Sequence, residues 1–177
     1  MTPATGIDTS HYQPGDITVA LKGCTFAIGQ ASVGVWSDPT YTIHTTECVK
    51  AGVVAAAYHY VVPGPGDGRQ AAVFLTAAGP RAQFLAIDHE GPALRYPTLT
   101  RGIIANVRRL DKLHRKIGLY CSNDNYPGDL GQDFNWIADY ATVPSVAWEF
   151  WQKSGSGIDH DVFAGTVAQF TAWLKGS

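Results

Sequence analysis

Short apolar runs that end in a polar residue and then Gly or Pro recur along this chain. The first is "TGIDTS", ending at Asp8; the second, "CTFAIGQAS", ends near Gln30. The third, "GVVAAAYHYVVPG", reaches Tyr58, His59 and Tyr60 before its turn. The fourth, "FLAIDHEGP", stops at Asp88, His89 and Glu90. "KIGLYCSND", "NWIADYA" and "SVAWEFWQKSGSG" follow, passing Tyr120, Asp139 and Gln152. An eighth run, "GIDHDVF", is weak and short, around Asp159. Near-continuous apolar runs of this length predict strands of a parallel sheet buried on both faces.

Four stretches between the runs have a helical period. "SDPTYTIHTTECVKAG" offers Ser37 or Asp38 as cap, Pro39 in the first turn and Gly52 as stop. Residues 69–78 form a second helix, halted by Gly79-Pro80. In the third, Leu99, Ile103, Val107, Leu110 and Leu113 recur at spacings of three and four, opposite a basic face. "GTVAQFTAWLKGS" closes the chain with Thr166 as cap. Alternating strands and helices call for right-handed crossovers, and about eight strands close economically into a barrel. A full eightfold barrel needs about 250 residues, and this chain has 177. The expectation is one domain over residues 1–177: an α/β, TIM-like irregular barrel of eight strands, with helices after the early strands and short loops joining the late ones.

Such a barrel gathers strand-end residues on one rim, where the chemistry of these folds sits. The candidates are Asp8, Gln30, His59, Tyr60, Asp88, Glu90, Tyr120, Asp139, Gln152 and Asp159. A lone Asp at a strand end is more often a turn former than a catalyst. Asp88 and Glu90 form a stronger case. Residues two apart on a strand face the same way, with Cα atoms roughly 6.5 Å apart, while His89 points to the opposite side. Two carboxylates on one face, flanked by Phe84, Leu85 and Ile87, raise one another's proton affinity. A protonated acid beside an ionised one is the equipment of glycoside cleavage. A metal site built from His59, Asp88, His89 and Glu90 is the rival, weakened because His89 does not share a face with its neighbours. Ser10 and His11 lack the elbow of a serine hydrolase.

Composition narrows the field. Net charge is −2, without the basic stripe that nucleic acid requires. Cys24, Cys48 and Cys121 are odd in number and lack metal-ligand spacing, as expected of thiols in a reducing compartment. The N-terminal stretch shows no signal peptide, and no apolar run approaches the roughly 20 residues of a membrane span. Five Trp, eight Tyr and seven Phe supply rings for a core or for sugar stacking.

Taken in order, these motifs resemble glycoside hydrolase family 25, the Chalaropsis-type lysozymes that include many bacteriophage endolysins. The resemblance runs through "GIDTSHYQ", "FAIGQASVG" with "SDPTY", "AGVVAAAYHYVVPG", "LAIDHE", "GLYCS", "WIADYA", "WEFWQKSGSGID" and "DVFAGT". It implies an eight-stranded barrel with few helices, and hydrolysis of the β-1,4 bond between N-acetylmuramic acid and N-acetylglucosamine in peptidoglycan, without metal or organic cofactor. On matching positions it implies Glu90 as general acid and Asp88 as the residue that steers the 2-acetamido group or a water. Asp8 and Asp159 complete the acidic cluster, and Tyr58, Tyr60, Tyr120, Trp136, Tyr140 and Gln152 line the sugar site. Asp161 is the alternative to Asp159. "QAS" at residues 30–32 departs from members with a charged residue there, and His44 stands where an Asn is expected.

The resemblance also implies a cell-wall partner, a monomer by default, and an enzyme made in the cytoplasm that reaches the wall after release, as phage lysins do. It leaves open whether the chain works alone or beside a wall-binding module. A barrel that binds peptidoglycan without turnover, and a glycosidase acting on chitin-like polymers, are the competing readings.

Overall fold

A computed structural model describes residues 2–13, 15–155 and 157–176. Eight strands close a barrel: β1 (Pro3–Thr9), β2 (Phe26–Val33), β4 (Val54–Tyr60), β5 (Leu85–Asp88), β6 (Ile117–Ser122), β7 (Phe134–Ala138), β8 (Phe150–Ser154) and β9 (Asp159–Thr166). The two-residue strand β3 (Trp36–Ser37) folds back on the end of β2. Neighbours from β1 through β2, β4, β5, β6 and β7 to β8 pair in parallel. β9 seals the gap and runs antiparallel to both β8 and β1.

The reversal of β9 corrects the expectation of an all-parallel barrel. Residues 155–158 alone separate β8 from β9, and a connection this short makes a hairpin, whereas a parallel crossover needs a dozen or more residues. Asp159 therefore reaches the rim by opening a descending strand, not by ending an ascending one.

Helices α1 (Tyr41–Ala51), α2 (Asp67–Ala78) and α3 (Pro97–Leu110) cover the outer face near β2, β4 and β5. They bury Tyr41, Phe74, Ile103, Ile104 and Val107 against Ala57, Leu85, Ile87 and Leu119. The late strands are joined without α-helices, as expected. Among its described residues the β1–β2 connection is a series of turns, and the hydrophobic pattern predicts no helix there. One expectation fails. Leu113 lies beyond the end of α3 and is exposed, because the chain leaves the helix at Asp111, which turns to bond Arg115. Asp38 does not cap α1 directly; it accepts the backbone and hydroxyl hydrogens of Thr40 at 2.8 and 2.7 Å, just ahead of the first turn. Gly52 ends that helix in the left-handed region, as the sequence predicts.

Inside the barrel the lower layers are aromatic. Phe26, Phe84, Phe134, Phe150 and Phe163 pack together, and α4 (Val167–Lys175) plugs the bottom with Phe170 and Trp173. Thr166 and Gln169 close a capping box at the start of α4. Gly118 is required where it stands, since a Cβ there would run into the ring of Phe134. No described helix is long and apolar enough to cross a membrane.

Candidate active site

With the bottom filled by rings, the polar layer sits at the top. A cavity of about 180 Å³ opens there, lined by Asp8, Tyr58, Asp88, Glu90, Tyr120, Trp136, Tyr140, Gln152 and Asp159. These come from seven strands and their loops. Register explains the gathering. Asp8 pairs with Asp159, Asp88 with Tyr120, Tyr120 with Trp136, and Ala138 with Gln152, so each inward side chain meets the next around the ring. The structure thus brings together nine of the ten site residues that the family resemblance implies.

The tenth, Tyr60, stands on the rim. Its hydroxyl lies 2.6 Å from where a Cβ on residue 91 would be, and Gly91 has φ +53°. Only glycine fits both demands, so Tyr60 leans over the turn that follows Glu90. A second cleft of about 350 Å³ shares Glu90, Tyr120 and Tyr140 and continues toward Asn123, Asp124 and Asp139. The opening is therefore part of a longer groove. Tyr12 is exposed on the loop that follows β1, and Trp36 is exposed on β3.

Asp88 and Glu90 face the cavity together, and Glu90 has extended backbone with φ −136° and ψ 179°. His89 between them turns outward and meets Thr100 Oγ1 of α3 at 2.8 Å. His59 is likewise turned away, held between Ser32 Oγ at 2.9 Å and Gln70 Oε1 at 3.1 Å. Neither histidine is aimed at the carboxylates, so the rival metal set is not assembled. Asp139 has the plain role of a turn former, accepting the backbone N–H groups of Ala141 and Thr142.

The network beneath the carboxylates is directional. Gln152 Nε2 donates to Asp8 Oδ2 at 2.6 Å, while its Oε1 accepts from Tyr120 and Tyr140 at 2.9 and 2.8 Å. Tyr58 donates to Gln30 Oε1 at 3.1 Å, and Gln30 donates to Asp38 at 2.8 Å. Gln30 therefore works from behind Tyr58 and lies outside the cavity lining. Trp136, fully buried, forms the floor with its ring against Tyr120 and its indole N–H donated to Asp161 at 2.7 Å. His44 is buried on α1 with neither ring nitrogen bonded.

Crowding sets the protonation states. Burial pushes Asp8 up from 3.8 to about 7, with the charge of Asp159 adding to it. Asp88 is held well above the usual range by burial, then by Glu90 and Asp8. Glu90 is raised by burial first and by Asp159, across the cavity, second. Burial also raises Asp159, with His160 acting against it. Of these acids, Asp8 and Asp88 are buried, whereas Glu90 and Asp159 reach the opening. Burial and the charge of Asp159 both hold the proton of Glu90 more tightly than in a free carboxyl group. It thus stands at the mouth of the cavity with its proton affinity raised. Asp161, a fifth acid, lies directly below.

Comparison with known proteins agrees with this geometry. The sequence pattern of "Glycosyl hydrolases family 25" matches residues 7–162. Lysozyme M1 of Streptomyces globisporus is 26% identical over 94% of this chain and 70% of its own length. Among solved structures, the catalytic domain of the endolysin ply40 from Listeria monocytogenes bacteriophage P40 superposes with a TM-score of 0.84 at 22% identity, covering 99% of this chain and 98% of that one. A bacterial lysozyme from Streptomyces coelicolor gives 0.80 at 24% identity, covering 99% of both chains. The chain belongs to glycosyl hydrolase family 25 and is a glycoside hydrolase.

Proposed function

We propose that this enzyme hydrolyses the β-1,4 bond between N-acetylmuramic acid and N-acetylglucosamine of bacterial peptidoglycan, with Glu90 as general acid. The observation that carries the reading is the position of Glu90: a carboxyl group at the mouth of a cavity that it shares with Asp8, Asp88 and Asp159, its proton held more tightly through burial and Asp159. The similarity to a protein named as a lysozyme supports the choice of wall polymer.

In this reading Glu90 gives its proton to the glycosidic oxygen as the bond breaks. Asp88 faces the same side and is placed to hold the 2-acetamido group or a water. Positive charge develops at the anomeric carbon, and Asp8 and Asp159 stabilise it, more strongly in a dry cavity than in water. Tyr58, Tyr120, Tyr140 and Gln152 hold the sugar from the opposite wall, and Tyr60 from the rim. The longer groove suits a polymer. A wall substrate lies beyond the cell membrane, so the reading includes release from the cell that makes the enzyme.

Glu90→Gln removes the acidic proton at nearly constant shape. Turbidity clearing of a bacterial wall suspension should fall by about 10²- to 10⁴-fold, the usual worth of a general acid, with the melting curve retained. Clearing at the wild-type rate would refute the assignment. Digestion should leave reducing muramic acid ends; reducing glucosamine ends from a chitin-like polymer would move the enzyme to the competing specificity. Wild-type protein that retains wall fragments on a column without cutting them would support the binding-only alternative.

A further inference from the structure

Asp161 belongs to the layer below the cavity, and nothing above assigns it a task. It is 1% exposed. On β9 it follows Asp159 by two residues, so both point inward; its register partners are Gly6 on β1 and Gln152 on β8. Gly6 has no side chain, and the ring of Phe26 stands where its Cβ would be. Asp161 Oδ1 accepts the indole hydrogen of Trp136 at 2.7 Å. Its Oδ2 is buried, and no N–H or O–H group of another described residue reaches it. The register places Asp161 diagonally beside Asp8 on the neighbouring strand, since Asp8 pairs with Asp159 and Gly6 with Asp161. Two ionised carboxylates have no hydrogen to share, so a bond between these two requires that one of them carries a proton.

The surroundings decide which. Each acid accepts one hydrogen that favours its charge, Asp8 from Gln152 Nε2 and Asp161 from Trp136 Nε1. Burial separates them: Asp8 lines the cavity, whereas Asp161 is shut below it with Oδ2 buried and unpartnered by other described residues, the oxygen left to carry a proton. We propose that Asp161 is a positioning residue: a neutral carboxylic acid that donates to Asp8 and holds the Asp8 carboxylate ionised and aimed into the cavity. The direction of the shifts agrees. The bond between them lowers Asp8 and raises Asp161, which burial and the charge of Asp8 hold well above the usual range. The ionisable groups around the pair are Asp159 on the same strand, Asp88 at the end of β5 and Glu90 just after it, Tyr58 from β4, Tyr120 from β6, Tyr140 after β7 and Cys24 ahead of β2, with Lys22, Lys153 and His160 lining a pocket that Asp161 borders.

The proposal rests on Asp8 acting in the glycosidase site, and the experiment separates the two. Asp161→Asn keeps both bonds, its amide oxygen accepting from Trp136 and its amide nitrogen donating to Asp8. Asp161→Leu keeps volume and loses both. Asp161→Asn should clear walls within about threefold of wild type, with the acidic limb of the rate profile moved by less than about half a pH unit, as for a hydrogen-bonding isostere. Asp161→Leu should lose about 10- to 100-fold at neutral pH, with the acidic limb moved up by about one to two units, the worth of one bond to a charged group.

Carbon-13 NMR of aspartate-labelled wild-type protein gives a readout that needs no activity. The carboxyl signal that disappears in Asp161→Asn should remain in the protonated range through pH 7. If Asp161→Asn were as inactive as Glu90→Gln, or if that signal titrated with surface acids near pH 4, the proposal would be overturned. Should Asp161→Leu fail to fold, the Asn variant and the titration decide. Wild-type protein without lytic activity would refute the muramidase reading, and the titration would still decide the state of Asp161.

Discussion

Gln152 shows how much one side chain settles. Its amide oxygen is committed to two phenols and its nitrogen to Asp8, so the orientation of the amide has no alternative. Replacing it with Leu removes a hydrogen bond that favours the Asp8 anion, and the midpoint of Asp8 should rise further above its present value of about 7. Turnover that needs ionised Asp8 should fall at pH 7 by about 10- to 100-fold and recover in part on the alkaline side, for the loss of one bond to a charged group. A pH profile of wall clearing checks this; an unmoved acidic limb would mean that Gln152 only supports the sugar. Which of these residues the sequence discloses depends on distance along the chain. Asp88 and Glu90 are legible because strand alternation is a local rule. The same rule places Asp159 and Asp161 on one face, but their run is short and polar, and they read there as alternatives; the cavity lining holds Asp159, and Asp161 lies below it. The bond from Gln152 to Asp8 spans 144 positions and leaves no local signal.

At the level of elements, the strands and α1–α3 are visible in the hydrophobic pattern, while the direction of the last strand is not. An apolar run looks the same ascending or descending. The readable clue is the four-residue Gly-Ser connection between β8 and β9, too short for a crossover. The helix α4 is a further case. Its apolar residues look like one more cover for the sheet, yet they seal the barrel from below, where Phe170 touches Phe26, Phe84, Phe150 and Phe163. Phe170→Ala should therefore cost about 3–5 kcal/mol in urea unfolding, the range for emptying a buried aromatic site. The rim lies at the other end, so specific activity at 25 °C should change little. A loss below about 1 kcal/mol would show that the plug packs loosely.

For the molecule as a whole, the site and the fold pull against each other. Asp8, Asp88 and Asp161 all bind protons more tightly folded than unfolded. Stability from such groups is fully present below the ordinary carboxylate value near 3.8 and is lost as pH rises, for Asp8 through about 7. His59 acts oppositely: burial pulls it from 6.5 down to about 4, so its cost appears as pH falls through that interval. Asp88 carries the penalty of an Oδ1 that is buried without a hydrogen-bond partner. Asp88→Asn should raise the melting temperature at pH 7.5 by several degrees, about 1–2 kcal/mol for a domain of this size, and the gain should vanish near pH 4. A gain of equal size at both pH values would assign the effect to packing instead of charge.

The descending β9 has a geometric result for handling the protein. Because it returns the chain to the pole where β1 starts, and Val167 N–H bonds the carbonyl of Thr2, the first and last described residues lie on the side away from the catalytic mouth. A tag, a bead or a fused targeting module attached at either end would leave the groove pointing outward, toward whatever surface the enzyme is meant to digest.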